Sequence, residues 1–333
     1  MFEVRVRAIV NEALRINTFE LVDPHGRELP PFEAGSHIDV TVPGTPMRQY
    51  SLCNDPRERM RYLIAVLRLD DGRGGSKAMH NAVRAGDVIE ISSPHNHFAL
   101  DERARRHLLI AGGIGITPIM AMVERLTTIG ADFTLHYCAR SPEHMAFKDR
   151  LAALKNAGRV VYYYDGGDPA RGLQVADVLG AAEEGTHLYY CGPAGLMEAI
   201  ALRTADWPTG TVHREYFAPP PLSSSLRAAA VEETEEFSVR LARSGNVYKV
   251  PRGMSIVEVL RGEGIACNTS CEAGVCGTCR TRYLEGTPEH RDFVLSDEER
   301  REYVMICCAR ASGTLVLDLP LAPEAEPADE RRP

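Results

Sequence analysis

Residues 267–279 read Cys-Asn-Thr-Ser-Cys-Glu-Ala-Gly-Val-Cys-Gly-Thr-Cys, four cysteines within thirteen residues of a long chain. Cys271, Cys276 and Cys279 form C-x4-C-x2-C, and a further thiol stands downstream at Cys307 or Cys308, which is the spacing that holds a 2Fe-2S cluster. Gly274 and Gly277 fall between these positions, where a loop must wrap closely round an inorganic core and aim amide N–H groups at its sulfides. Structural zinc centres pair two C-x2-C knuckles or add histidines at short spacing, and neither pattern occurs in this stretch. Cys307 and Cys308 are neighbours in Tyr-Val-Met-Ile-Cys-Cys-Ala. An extended segment sends neighbours to opposite sides, so one of the two is the ligand. Cys267 fits no position of the motif and reads as a small buried residue.

At 333 residues the chain exceeds what one hydrophobic core serves, so two or three domains are expected. Charged residues at 25% and hydrophobic residues at 44% are those of a globular protein, and the net charge of -8 argues against nucleic acid or an anionic membrane surface as partner. The N-terminal Met-Phe-Glu-Val-Arg-Val-Arg alternates charge with apolar residues where a signal peptide would have a continuous apolar core. The longest apolar run, Leu108 to Val123, is broken by Gly112, Gly113, Gly115 and Pro118, so no membrane span is expected. A cytoplasmic location follows, and an odd count of nine cysteines suits reduced thiols and metal ligation better than a disulfide framework.

Residues 1–102 alternate in short segments, such as Val4 to Val6, His37 to Val42 and Asp87 to Ile91, between Pro/Gly turns that include Pro43 to Pro46. This predicts a small antiparallel barrel or sandwich. Within it, Arg48-Gln49-Tyr50-Ser51 joins a guanidinium fork, a flat ring and a hydroxyl on one strand, with Arg48 and Tyr50 sharing a face. A guanidinium grips a phosphate bidentately while a ring lies against a planar heterocycle, so the pair suits a flavin mononucleotide. Alone, the motif would read as a surface arginine beside a half-buried tyrosine. Gly72-Arg73-Gly74-Gly75-Ser76 then leads into a helical pattern, a junction whose amides and dipole attract anions.

From 103 to 217 strands alternate with helices, which predicts a parallel sheet. Gly112-Gly113-Ile114-Gly115-Ile116-Thr117-Pro118 lies at the first strand-to-helix turn, with Thr117 expected as N-cap and Pro118 at the first helical position. A pyrophosphate suits that turn, although Pro118 stands where the Rossmann pattern has its last glycine. Cys191-Gly192-Pro193 ends a later strand, where open parallel sheets put their ligand crevice. Asp165, after the strand Val160 to Tyr164, is placed to accept hydrogen bonds from an adenosine ribose and to repel a 2'-phosphate, or else to serve only in the turn Asp165-Gly166-Gly167-Asp168. Residues 218–234, Pro-rich then Ser-rich, read as a linker. Residues 235–321 supply a hairpin, a helix near Ile256 to Arg261, the cysteine loop and a closing strand, and 322–333 form a charged, proline-containing tail.

The Arg-x-Tyr-Ser strand with its glycine-serine turn resembles the flavin-binding barrel of the ferredoxin-NADP reductase superfamily, 111–118 with Cys191-Gly192-Pro193 resembles that superfamily's nicotinamide domain, and 235–321 resembles the plant-type ferredoxin β-grasp. In this order, from about residue 3 to 320, the three resemble the phthalate dioxygenase reductase and vanillate O-demethylase reductase family. The resemblance implies FMN, with FAD as the alternative flavin, a 2Fe-2S cluster, NADH as donor and a Rieske-type terminal oxygenase of an aromatic-degradation pathway as acceptor. It implies that Ser51 faces the flavin N5 and Cys191 the nicotinamide. It also implies that Arg48 and Ser76 meet the FMN phosphate, with Gln49, Tyr50, Gly74, Gly75 and Phe217 about the flavin, and that Gly112, Gly113, Gly115, Thr117, Asp165, Gly192 and Pro193 line the nucleotide site. The family pattern Met-Ile-Cys followed by one more residue and Ala-Arg falls on Met305 to Arg310 and selects Cys307 as fourth ligand beside Cys271, Cys276 and Cys279. A reductase serving another acceptor, such as a cytochrome P450 or a separate ferredoxin, and a redox-sensing module without turnover are the competing functions.

Overall fold

Strand β1 (Phe2–Ala13) is the spine of the first sheet: it pairs antiparallel with β2 (Ile16–Val22) on one side and β6 (Val88–Ile91) on the other. The computed structural model describes residues 1–45, 47–70, 74–219 and 236–319. With β3 (His37–Thr41), β4 (Arg48–Ser51) and β5 (Tyr62–Leu67) the sheet runs β4-β3-β6-β1-β2-β5. A bridge from Leu52 to Ile64 joins its two edges into a barrel. Alternation fills the interior with Val4, Val6, Phe19, Leu21, Ile38, Val40 and Ile64. A seven-residue helix, α1 (Gly75–Asn81), packs Met79 into the same core.

The chain then forms β7 (Arg106–Gly112), α2 (Ile116–Thr128), β8 (Phe133–Ala139), α3 (Lys148–Asn156), β9 (Val160–Tyr164), α4 (Val175–Val178), β10 (Thr186–Cys191), α5 (Ala194–Arg203) and β11 (Val212–Glu215). The strands make an all-parallel sheet in the order β11-β10-β7-β8-β9. Helix α2 is apolar nearly all round because it is buried on two sides. Its Ile119, Met122 and Val123 belong to one cluster with Leu109 and Tyr137 of the sheet and with Ala13, Cys53 and Phe98 from the barrel side. Two bonds reinforce that joint: Leu14 N–H to Glu143 O at 2.7 Å and Phe147 N–H to Glu12 Oε1 at 2.8 Å. Barrel and parallel sheet thus form one compact unit, ending at Phe217.

The second unit contains β12 (Phe237–Leu241), β13 (Val247–Val250), α6 (Ile256–Gly262), β14 (Arg280–Glu289), β15 (Tyr303–Met305) and β16 (Arg310–Asp318). Its mixed sheet runs β13-β12-β16-β14-β15, with β12 and β16 parallel. A capping box, Ser255 with Glu258, starts α6. The α6 face Ile256, Val257 and Leu260 packs on Val239 and Leu315. No helix among the described residues is long and apolar enough to cross a membrane. Pro46, Gly72, Arg73, most of the expected linker and the expected tail lie outside the described residues.

Candidate functional site

Strand β4 pairs with β3 so that Val40 faces Arg48, Asp39 faces Gln49, Ile38 faces Tyr50 and His37 faces Ser51. The stem of Arg48 crosses the first turn of α1: a Cβ on Gly75 would lie 2.5 Å from Arg48 Cγ, so glycine is what lets the guanidinium reach over the helix start. Gly74, at φ 93, enters that helix in the left-handed region. The strand motif and the glycine turn, separate in sequence, therefore meet in one cradle. Ser76 lies in the same turn, its Oγ accepting Leu69 N–H at 3.1 Å. Gln49 Nε2 sits 3.1 Å from His37 Nε2. Burial pushes the Tyr50 hydroxyl up to about 12, so its ring stays neutral. A guanidinium, a neutral ring and the amides of a helix start fit a planar group that ends in a phosphate.

Two turns meet where β7 and β10 end. A Cβ on Gly115 would lie 2.3 Å from Cys191 O, and one on Gly112 would lie 2.5 Å from Pro193 Cδ, so the two turns pack backbone to backbone. The 3-10 turn Gly113–Gly115 runs directly into α2, whose N-cap is Gly115. This corrects the expectation for Thr117 and Pro118: they are the second and third helical residues. Thr117 is buried, and its Oγ1–H donates back to Ile114 O at 3.0 Å, so the hydroxyl caps nothing. Pro118 is still tolerated because the first four N–H groups of a helix have no intrahelical acceptor. Asp165 Oδ1 accepts Gly167 N–H at 2.7 Å, so one of its oxygens is engaged in the turn after β9.

Ser51 of the barrel and Cys191 of the parallel sheet meet at a residue that no sequence motif marks, Glu215. Ser51 Oγ–H donates to Glu215 Oε2 across 3.5 Å, and the β10–β11 register sets Cys191 against Glu215. Glu215 keeps an exposed edge, yet its carboxyl is enclosed and burial pushes it up to about 8. Burial, with this carboxylate beside it, raises the Cys191 thiol as well. Both groups are thus neutral at pH 7. The signal for Glu215 in the sequence is faint, since β11 is only four residues long, Val-His-Arg-Glu, and shows no apolar-polar alternation. Phe217, two residues on, is 48% exposed.

In the second unit, Arg280 of β14 opposes Met305 of β15, which draws Cys279 and Cys307 together at the ends of that ladder. The sulfurs fall into two pairs within hydrogen-bonding reach, Cys271 with Cys276 and Cys279 with Cys307. Among the described residues no three His, Cys, Asp or Glu side chains converge on one ion-sized point. Two two-sulfur sites side by side suit a centre with two irons better than one four-sulfur zinc site. Ile306 to Cys308 form a turn, not the extended segment expected, so the alternation of faces that was to separate Cys307 from Cys308 does not apply.

A barrel joined to a parallel sheet, followed by a mixed-sheet domain with a paired-cysteine loop, defines an electron-transfer oxidoreductase. Residues 239–312 match the 2Fe-2S iron-sulfur cluster binding domain family, and 89–209 match the dimethylamine monooxygenase subunit DmmA-like N-terminal domain. The chain is 47% identical to the tert-butanol monooxygenase / tert-amyl alcohol desaturase reductase subunit of Aquincola tertiaricarbonis, over 95% of each chain. It is 44% identical to the vanillate O-demethylase oxidoreductase of Pseudomonas sp. (strain HR199 / DSM 7063), over 96% of this chain and 100% of that one. The solved phthalate dioxygenase reductase, described as modular for electron transfer from pyridine nucleotides to [2Fe-2S], superposes with a TM-score of 0.71 at 42% identity, covering 96% of this chain and 98% of that one. The chain belongs to the phthalate dioxygenase reductase and vanillate O-demethylase reductase family.

Proposed function

We propose that this chain takes electrons from NADH through FMN and a 2Fe-2S cluster to a Rieske-type terminal oxygenase, as that oxygenase's reductase component. The observation that carries the reading is the convergence of Ser51 and Cys191, from two different sheets, on Glu215. It sets a flavin-type cradle beside a nucleotide-type turn. When bound, flavin and cluster supply the redox chemistry that turns a two-electron hydride donor into single-electron output. The protein supplies position and charge. Arg48, Ser76 and the amides of Gly74 and Gly75 would hold the phosphate, with Tyr50, Gln49 and Phe217 about the ring system. Gly112, Gly113, Gly115 and Thr117 with Gly192 and Pro193 would receive the pyrophosphate. Asp165 would favour a free 2'-hydroxyl over a 2'-phosphate, hence NADH.

Ser51 and Cys191 line the place of hydride transfer, and Glu215, neutral at pH 7, keeps negative charge out of it. Cys271 with Cys276 and Cys279 with Cys307 would hold one iron each. The working division is a flavin barrel over 1–102, a nucleotide domain over 103–217, a linker over 218–234 and a cluster domain over 235–321. The relatives' names attach their reductases to oxygenases of different substrates, an aliphatic alcohol in one case and vanillate in another, which supports a common electron-delivery role with substrate choice left to the partner. Releasing the flavin by heat and identifying it chromatographically tests the cofactor: FMN is expected, and FAD would contradict the assignment. Rapid NADH-dependent reduction of ferricyanide would exclude a non-catalytic redox sensor.

A further inference from the structure

Cys308 is a cysteine that neither the ligand motif nor the transfer of electrons requires. The turn that carries it is closed by Cys308 N–H and Ala309 N–H, which both donate to Met305 O at 3.1 and 3.0 Å. Because a turn does not alternate faces, both adjacent sulfurs point toward the cysteine loop. A Cβ on Gly274 would lie 2.8 Å from Cys308 Sγ, so this sulfur rests directly on the loop between Cys271 and Cys276. Its thiol is 3.7 Å from Met305 O, long even for sulfur, and is also within hydrogen-bonding reach of Cys307.

We propose that Cys308 is a tuning residue which, with the cluster bound, donates its S–H to the Cys307 sulfur and holds the cluster's reduction potential up. A thiolate on iron carries negative charge and is a better acceptor than a distant carbonyl. Reduction adds negative charge to the ligand sulfurs, so the bond is stronger in the reduced form and favours it; hydrogen bonds to sulfur are among the established determinants of cluster potential. The loop at Gly274 lies so close to Cys308 Sγ that a Cβ there would not fit, and this limits how far the donor can turn away. A higher cluster potential raises the driving force for each electron arriving from the flavin. The proposal rests on the cluster assignment above.

The test uses the full-length protein with Cys308→Ala and Cys308→Val, which remove the donor, and Cys308→Ser, which keeps one. Iron, acid-labile sulfide and visible absorption come first. A wild-type chain without iron and sulfide would defeat the cluster assignment, and with it the tuning role. In loaded protein, redox titration followed by electron paramagnetic resonance should give a lower midpoint for Cys308→Ala and Cys308→Val and a midpoint at or above wild type for Cys308→Ser. Resonance Raman bands of the iron–cysteine bonds should shift in D2O more in wild type than in Cys308→Ala. Equal midpoints in wild type and Cys308→Ala would overturn the proposal, and so would an equal drop in Cys308→Ser and Cys308→Ala, the mark of a packing defect. Should Cys308→Ala lose its cluster, Cys308→Val, which fills the volume without a donor, carries the same comparison with Cys308→Ser.

Discussion

Ser51 Oγ lies 3.5 Å from Glu215 Oε2, so a hydroxyl from the barrel and a buried carboxyl from the last strand of the parallel sheet share one hydrogen bond. Burial holds that carboxyl protonated until about pH 8. Single-turnover bleaching of the flavin by NADH should therefore slow as pH rises through about 8, and Glu215→Gln, which keeps the shape but cannot ionise, should give a flat profile there. A variant profile that still breaks near 8 would assign the ionisation elsewhere. The same shift acts on stability. The folded-state value is raised above the ordinary value of 4.5, so the stabilisation is full below about 4.5 and is lost as pH rises through about 8. Thermal stability of Glu215→Gln should fall less than that of wild type across this window.

Arg48 crosses over Gly75, and in the proposed site its guanidinium holds the flavin phosphate. Charge-assisted hydrogen bonds of this kind contribute about 1.5–3 kcal/mol each. Loss of one in Arg48→Ala should raise the flavin dissociation constant roughly 10- to 150-fold. Arg48→Lys should recover part of this, since an ammonium keeps the charge without the fork. Equilibrium dialysis or fluorescence titration reads the change, and unaltered flavin binding in Arg48→Ala would remove this residue from the site.

Gly115→Ala places a Cβ 2.3 Å from the Cys191 carbonyl oxygen, a clash with backbone that no side-chain rotation relieves. A loss of about 1–3 kcal/mol of stability is expected from forced overpacking. KM for NADH should rise as the two turns are pushed apart, while the cluster's visible absorption stays as in wild type. Thermal denaturation and steady-state ferricyanide reduction measure the two effects.

Cys307→Ser should abolish the cluster's visible absorption and iron content, whereas Cys308→Ser and Cys267→Ser should retain both. Flavin content should be unchanged in all three, and NADH should still bleach the flavin of the cluster-free variant, because cradle and cysteine loop belong to separate units. Retention of the cluster in Cys307→Ser with its loss in Cys308→Ser would reverse the assignment of the fourth ligand.

Much of this was legible where chemistry imposes local spacing. The close interval of Cys271, Cys276 and Cys279 announces the 2Fe-2S domain, and the strand-helix alternation from Leu108 onward announces the parallel sheet. What was not legible depends on contacts distant in sequence. Glu215 acquires its place in the site only from the register that sets it beside Cys191 and from the packing that brings Ser51 to it. Thr117, standing before a proline, has the sequence of a cap, yet the helix starts two residues earlier, with Gly115 as N-cap packed against Cys191. The short apolar run at Cys307 and Cys308 looks extended, which would set them on opposite faces, whereas the chain turns after β15 to enter β16. The barrel and parallel sheet, read as separate domains, share the core round α2, whose uniformly apolar surface was the available hint.

Direct delivery of electrons to a Rieske-type oxygenase is the central claim, and reconstituted turnover tests it most directly. The purified chain, NADH and a purified candidate oxygenase with its substrate are combined, and product is followed with and without an added ferredoxin. Direct transfer predicts product at full rate without the carrier, at a rate that falls as salt rises while ferricyanide reduction changes much less. An absolute requirement for the added ferredoxin would contradict it.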